Sequence, residues 1–207
     1  MLELLAPAGN LDAVIAAVQN GADAVYMGFG DGFNARRSAD NFTQESFAKA
    51  VRYCHIRGCK VYVTLNTLVG DREMEAAAAL AQQASDAGAD AILVQDLGLA
   101  RVLRDALPDI PLHASTQMSI HNLAGVEAAA EMGITRAVLS RELSLEQIRF
   151  ISQHASIETE VFVHGALCFC YSGQCYMSAL IGRRSGNRGA CAQPCRMQYS
   201  MGGRMDE

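Results

Sequence analysis

Two hexapeptides, Gly21-Ala-Asp-Ala-Val-Tyr26 and Gly88-Ala-Asp-Ala-Ile-Leu93, stand 67 residues apart in the chain. Each puts a helix-ending glycine before an Asp-led apolar run, and Gly133-Ile-Thr-Arg-Ala-Val-Leu139 is a weaker third copy. A spacing of about two strand–helix units fits right-handed βαβ crossovers, and those require a parallel sheet.

The rest of the chain keeps that alternation. Short β-rich apolar runs predict strands at 3–6, 24–27, 60–65, 91–94, 112–114, 137–139 and 158–163. Amphipathic stretches between them predict helices over 10–20, 43–56, 71–87, 97–106 and 122–132. Ser144-Leu-Glu-Gln147 has the form of a capping box and opens a helix to about residue 153. Gly28-Phe-Gly30-Asp-Gly32 could cradle a phosphate, but no helix start follows at once, so a flexible loop is expected.

Seven strands of this kind fit an α/β fold, a TIM-type (β/α) barrel lacking its last unit, with a cysteine-rich loop region at the C-terminal end. The alternative is an open doubly wound sheet, weakened because no G-x-G-x-x-G follows the first strand. On this reading residues 1–164 form the barrel units and 165–207 a cysteine- and arginine-rich segment. The natural chain would then continue into an eighth strand, or a homodimer mate or other partner chain would close the barrel.

Composition excludes some classes. No apolar run among the 207 residues reaches membrane-spanning length, so no membrane role is expected. The start, Met1-Leu-Glu-Leu-Leu-Ala-Pro7, lacks the basic and apolar regions of a leader, which implies a cytoplasmic protein. Seven cysteines in a reducing compartment are then ligands, nucleophiles or core residues rather than disulfides. Cys54 and Cys59, near a helix end and a strand start, read as buried core.

Charge is uneven. Residues 1–160 hold 12 Lys/Arg and 20 Asp/Glu, or −8; residues 161–207 hold 5 Arg and 2 acids, or +3. An anionic partner should meet the C-terminal end. There Cys168-x1-Cys170-x4-Cys175-x15-Cys191-x3-Cys195 gathers five thiols among Arg183, Arg184, Arg188, Arg196 and Arg204. Such a run suits an iron–sulfur cluster, with zinc or no metal as alternatives; zinc's preferred C-x2-C knuckle is missing.

A barrel does its chemistry where strands end. Polar residues recur there: Asn34, Arg36 and Arg37, then Asn66, Gln95 and Asp96, then Ser115 and Gln117, then Ser140, Arg141 and Glu142, and finally His164. They imply a hydrogen-bonding mouth with arginines for an anionic ligand. No H-E-x-x-H or G-x-S-x-G is present, and a His164–Cys168 pair is the one peptidase arrangement the residues offer.

Glu160-x-Phe162-x-x-Gly165-Ala166-Leu167-Cys168-x4-Gly173-x-Cys175-x-Met177-Ser178 resembles the signature of the collagenase-like peptidase family of unknown catalytic type (peptidase family U). The resemblance runs from Leu-Leu-Ala-Pro-Ala-Gly at the start, through Asn34-Ala-Arg36 and Val138-Leu-Ser-Arg-Glu-Leu-Ser144, to Gly189-Ala-Cys191 and Cys195-Arg196. It is nearest to the family's tRNA-hydroxylating branch. That resemblance implies hydroxylation of tRNA wobble uridine to 5-hydroxyuridine, a small carboxylate donor of the prephenate kind, and a cluster, probable type 4Fe-4S, on Cys168, Cys175, Cys191 and Cys195. Arg141, His164 and Asn66 are the expected catalytic residues; Asn34, Arg36, Gln117, Arg183 and Arg184 are the expected substrate contacts. A collagenase-like peptidase and a non-catalytic RNA-binding or assembly subunit are the alternatives.

Overall fold

A computed structural model describes residues 2–30, 32–35, 41–165 and 167–199. Seven strands form one parallel sheet in sequence order: β1 (Leu5–Pro7), β2 (Ala24–Met27), β3 (Lys60–Leu65), β4 (Ala91–Val94), β5 (Leu112–Ala114), β6 (Arg136–Val138) and β7 (Glu158–Glu160). Six helices make the crossovers: α1 (Leu11–Gln19), α2 (Gln44–His55), α3 (Met74–Asp86), α4 (Leu97–Ala106), α5 (Leu123–Glu131) and α6 (Leu145–His154). A short α7 (Met177–Gly182) belongs to the cysteine segment. The sheet curls as an incomplete TIM barrel, and the open doubly wound alternative is set aside.

The repeat has a mechanical cause. Gly21 and Gly88 take φ of 89° and 97°, a left-handed turn that only glycine enters without strain. The aspartate two residues on then accepts a backbone N–H from the preceding strand's line: Leu4 N donates to Asp23 Oδ2 at 2.8 Å, and Val61 N to Asp90 Oδ2 at 2.7 Å. In the weaker third copy, Thr135 Oγ1 donates to the Leu112 carbonyl at 3.2 Å. Each copy fastens a strand's entry to its neighbour.

Alternation along the strands divides the core in two. Val25, Val61, Val63, Ile92 and Val94 face the helices and are buried beneath them. Ala24, Tyr62, Ala91, Leu93 and Val138 face the barrel interior. Cys54 and Cys59 are buried in the outer layer as expected, and burial pushes the Cys54 thiol up to about 12, far from a reactive thiolate.

Several boundaries differ from expectation. The first strand runs to Pro7 rather than turning there, because β1 pairs on one side only and an edge tolerates a residue without N–H. The sixth begins at Arg136, a cation hidden by the carboxylates it meets. The seventh stops at Glu160; Val161 to Val163 pair with no strand among the described residues and lie exposed. The third helix is preceded by a 3-10 turn at Asp71–Glu73. The Ser144 capping box is present, with Ser144 Oγ accepting from Gln147 N and Gln147 Oε1 from Ser144 N. Among its described residues the glycine loop after β2 opens no helix; a bridge joins Phe29 and Phe42, and Gly28 is pressed against Asn34 and Asn41. No helix among the described residues is long and apolar enough to cross a membrane.

Candidate functional site

The interior carries charge at its lower end. Arg136 is 7% exposed and reaches Glu3 Oε1 at 2.6 Å, Glu158 Oε2 at 2.7 Å and Glu160 Oε2 at 3.5 Å. Glu3 also accepts from Tyr62 Oη at 2.8 Å and Lys60 Nζ at 3.1 Å. One guanidinium therefore ties β6 and β7 to the chain entering β1, across the gap in the sheet. Burial alone would raise the Glu3 carboxyl; the hydrogen bonds from Arg136, Tyr62 and Lys60 outweigh it and hold its pKa at about 2.

His113, edge-on to the Tyr62 ring, is 4% exposed. Burial, and then the charge of Arg136, lower its pKa from 6.5 to about 3. The folded state thus keeps His113 neutral, while the unfolded chain takes up a proton below 6.5. Its contribution to stability is complete above pH 6.5 and is lost as pH falls toward 3. Between pH 6.5 and 4.5, above the ordinary carboxylate range, thermal melts should fall with acidification, Glu160 opposing the trend because burial raises its carboxyl, and His113→Gln should flatten the slope.

Above this layer lies a small cavity of about 50 Å3. Tyr26, Thr64, Asn66, Ser115, Thr116 and Glu160 are its polar lining residues, Leu93 and Val138 are apolar, and Phe162 stands at its rim. Asn66 is held on both sides, donating to Ser115 Oγ at 3.1 Å and accepting from Ala35 N at 2.9 Å. Of the expected mouth residues, Gln117 bonds through its backbone to Ser115 and Gln95, and Asn34 is buried against Asn41. Asp96 caps α4 by accepting from Leu99 N. Arg36 and Arg37 lie outside the described residues.

The cysteine segment folds back over this mouth and docks at three strand-end loops. After β3, Arg188 makes a forked pair with Glu73 at 2.6 and 2.7 Å, and Leu68 N donates to Asn187 O. After β5, Gly173 sits directly on the Gln117 carbonyl, and Ser119 Oγ bonds Ser172 O. After β6, Glu142 accepts both Ser172 N at 3.0 Å and Ser172 Oγ at 2.9 Å, while Arg141 Nε lies 3.4 Å from that hydroxyl. His121 backs Glu142 through Nε2 at 2.5 Å and is bonded to the Ser119 carbonyl through Nδ1.

The five thiols of the segment lie in this lobe. Cys168 and Cys195 line one open cavity of about 380 Å3, edged by Arg196, whose Nη2 donates to Leu167 O. The loops carrying Cys175 and Cys191 meet at Gly186. Cys170 touches Cys175; burial and that neighbour raise its pKa. All five are exposed or half-exposed, unlike Cys54 and Cys59.

Residues 9–207 match Peptidase family U32. The chain belongs to that family. It is 45% identical over 200 residues to the 23S rRNA 5-hydroxycytidine C2501 synthase of Escherichia coli K12, covering 97% of this chain and 30% of that protein. It is 40% identical over 199 residues to tRNA hydroxylation protein P1 of Bacillus subtilis 168, covering 96% of this chain and 47% of that one. The chain thus spans from under a third to about half the length of these curated relatives. Among solved structures, the U32 peptidase Mk0906 superposes with a TM-score of 0.67 at 17% identity, over 82% of this chain and 71% of that chain, and shows the shared fold.

Four thiols of this U32 chain match in number the thiolates that a cluster takes. Cys168, Cys175, Cys191 and Cys195 lie on loops of one acid-free lobe. Among the described residues, no three His, Cys, Asp or Glu side chains are placed to share a single metal ion. A cluster spreads its ligands around several irons.

The remaining expected residues are scattered. Asn66 lines the cavity and Arg141 stands beside the docking seam, but His164 is exposed and, among the described residues, has no hydrogen-bond partner. Arg183 and Arg184 are exposed on the lobe, Arg184 bonding Ala190 O at 3.1 Å. Arg188, counted among the lobe's cations in the sequence, is neutralised by Glu73. Sequence reasoning missed the Arg136 network and the His121–Glu142–Ser172 clasp. Three carboxylates and an arginine at inward parity on β6, β7 and the approach to β1 were the available signal for the first.

Proposed function

We propose that this chain is the barrel of an RNA pyrimidine hydroxylase, acting on tRNA wobble uridine to give 5-hydroxyuridine. The observation that carries the reading is the cysteine lobe seated across the strand-end mouth of a U32 barrel, in a chain similar to proteins named for tRNA and rRNA hydroxylation. Barrels act at that face.

Cys168, Cys175, Cys191 and Cys195 would hold the iron–sulfur cluster, which supplies redox chemistry when bound. The chain's own residues do the positioning. Arg183 and Arg184 offer free cationic surface to RNA phosphates. Arg141, at the rim, suits the carboxylate of a prephenate-like donor. Asn66, fixed by Ser115 and Ala35, presents a rigid amide to whatever enters the cavity. A peptidase pairing of His164 with Cys168 gains no support, since nothing among the described residues orients the imidazole.

Protein purified without oxygen should carry iron and sulfide, and Cys175→Ser should lose most of both. Nucleoside mass spectrometry of tRNA and rRNA from a deletion strain, complemented with either form, tests the activity. Unchanged 5-hydroxyuridine and 5-hydroxycytidine, alongside gelatin cleavage by the purified protein, would overturn the reading in favour of a peptidase.

A further inference from the structure

The cavity in the barrel mouth has an apolar wall that includes Leu93, Val138 and Phe162, with a few acceptors and hydroxyls set in it, and among the described residues no cationic side chain lines it. Arg136 lies below and is engaged by Glu3 and Glu158. Three buried side-chain atoms have no hydrogen-bond partner among the described residues: Glu160 Oε2, Gln95 Oε1 and, in the layer below, His113 Nδ1. Glu160 lines the cavity; Arg136 Nη1 is 3.5 Å from Oε2, too long for a good hydrogen bond. Gln95, 6% exposed, is the next inward position after Leu93, another cavity residue, and its amide nitrogen is already committed to Gln117 O.

Buried acceptors without donors are costly and rare, so a group bearing N–H or O–H is expected to complete them. Size restricts that group. About 50 Å3 holds a few waters or the edge of a ring, not a whole ligand. Charge restricts it further: a carboxylate would meet Glu160, whose cationic neighbour Arg136 is already shared with Glu3 and Glu158. Burial raises the Glu160 carboxyl, which suits a site for an uncharged group. At the rim Phe162 is half exposed, an aromatic face free for stacking.

We propose that this cavity receives the hydrogen-bond-donating edge of an extruded pyrimidine, with Glu160 as the residue that reads it and Phe162 as the platform on which the ring stacks. The inference rests on the RNA reading above and adds to it a division of labour. The base enters the cavity beside Glu160, and the anionic co-substrate stays outside near Arg141.

The test is equilibrium binding of the intact protein to short single-stranded RNAs labelled with a fluorophore, each with one central pyrimidine. Uridine and cytidine probes are compared with probes carrying 3-methyluridine or N4,N4-dimethylcytidine, which lack the donor. The methylated probes should bind about tenfold more weakly, the loss of one buried hydrogen bond. Glu160→Gln and Phe162→Ala should shrink that ratio while leaving salt-dependent binding in place. Equal affinity for parent and methylated probes would overturn the inference while leaving the RNA reading intact. Absence of binding to every probe would overturn both. Because the wild-type comparison is decisive alone, a variant that fails to fold does not obscure the outcome.

Discussion

Arg136→Met should lower the stability of the barrel by about 3–5 kcal/mol, the usual cost of removing one partner from a buried ion network. Methionine keeps most of the volume, so the loss is electrostatic. Glu3, Glu158 and Glu160 would be left facing one another with no guanidinium between them, and Lys60, 55% exposed, reaches only Glu3. For a chain of this size the melting temperature should drop by about 10 °C. Arg188→Met is the informative contrast. Its pair with Glu73 has equally short distances, but both side chains are about 40% exposed, so its removal should cost at most about 1 kcal/mol. Chemical denaturation of the two variants beside the parent checks the difference. A similar small loss in both would mean that Arg136 is not what holds β6 and β7 to the entry of β1.

That network marks where sequence reading stops. The parallel barrel was legible because strand–helix periodicity is local, and because Gly21, Asp23, Gly88 and Asp90 announce the same junction twice. Cys54 and Cys59 were legible as core for a similar reason, each lying where a helix or strand must be covered. Arg136 and Glu3 are 133 residues apart, and nothing in either neighbourhood names the other. The apolar pattern starts the sixth strand at Ala137, because a cation opening a buried strand contradicts it. The cysteine lobe was legible as a site from its thiols and charge. Its attachment was not, because it depends on backbone atoms: Ser172 N, Asn187 O and the Gln117 carbonyl carry no identity in the sequence. The same limit explains Arg188, whose charge counted toward a cationic surface until Glu73 was found opposite.

Gly173→Ala tests that attachment directly. Gly173 has φ of 75°, which costs an alanine about 1 kcal/mol or more in strain. Sterics add to this, since an alanine Cβ would sit 2.2 Å from the Gln117 carbonyl oxygen and 2.7 Å from Ser119 Oγ. Neither neighbour yields easily. The carbonyl is backbone in the turn after β5, and Ser119, itself at φ 62°, is bonded to Ser172 O and Gln174 Nε2. The segment around 172–174 must therefore lift, breaking the bonds from Ser172 to Glu142 and with them the seat of the lobe. The barrel beneath, with its own two-layer core, should keep its melting transition to within a few degrees. Hydrogen exchange and limited proteolysis should instead show residues 167–199 opened, with protection falling by about two orders of magnitude for a local loss of roughly 3 kcal/mol. If the lobe needs the barrel to hold its cluster, iron should be lost in the same variant while all four thiols remain. Unchanged protection with retained iron would show that the lobe folds on its own and that the mouth is covered by it only loosely.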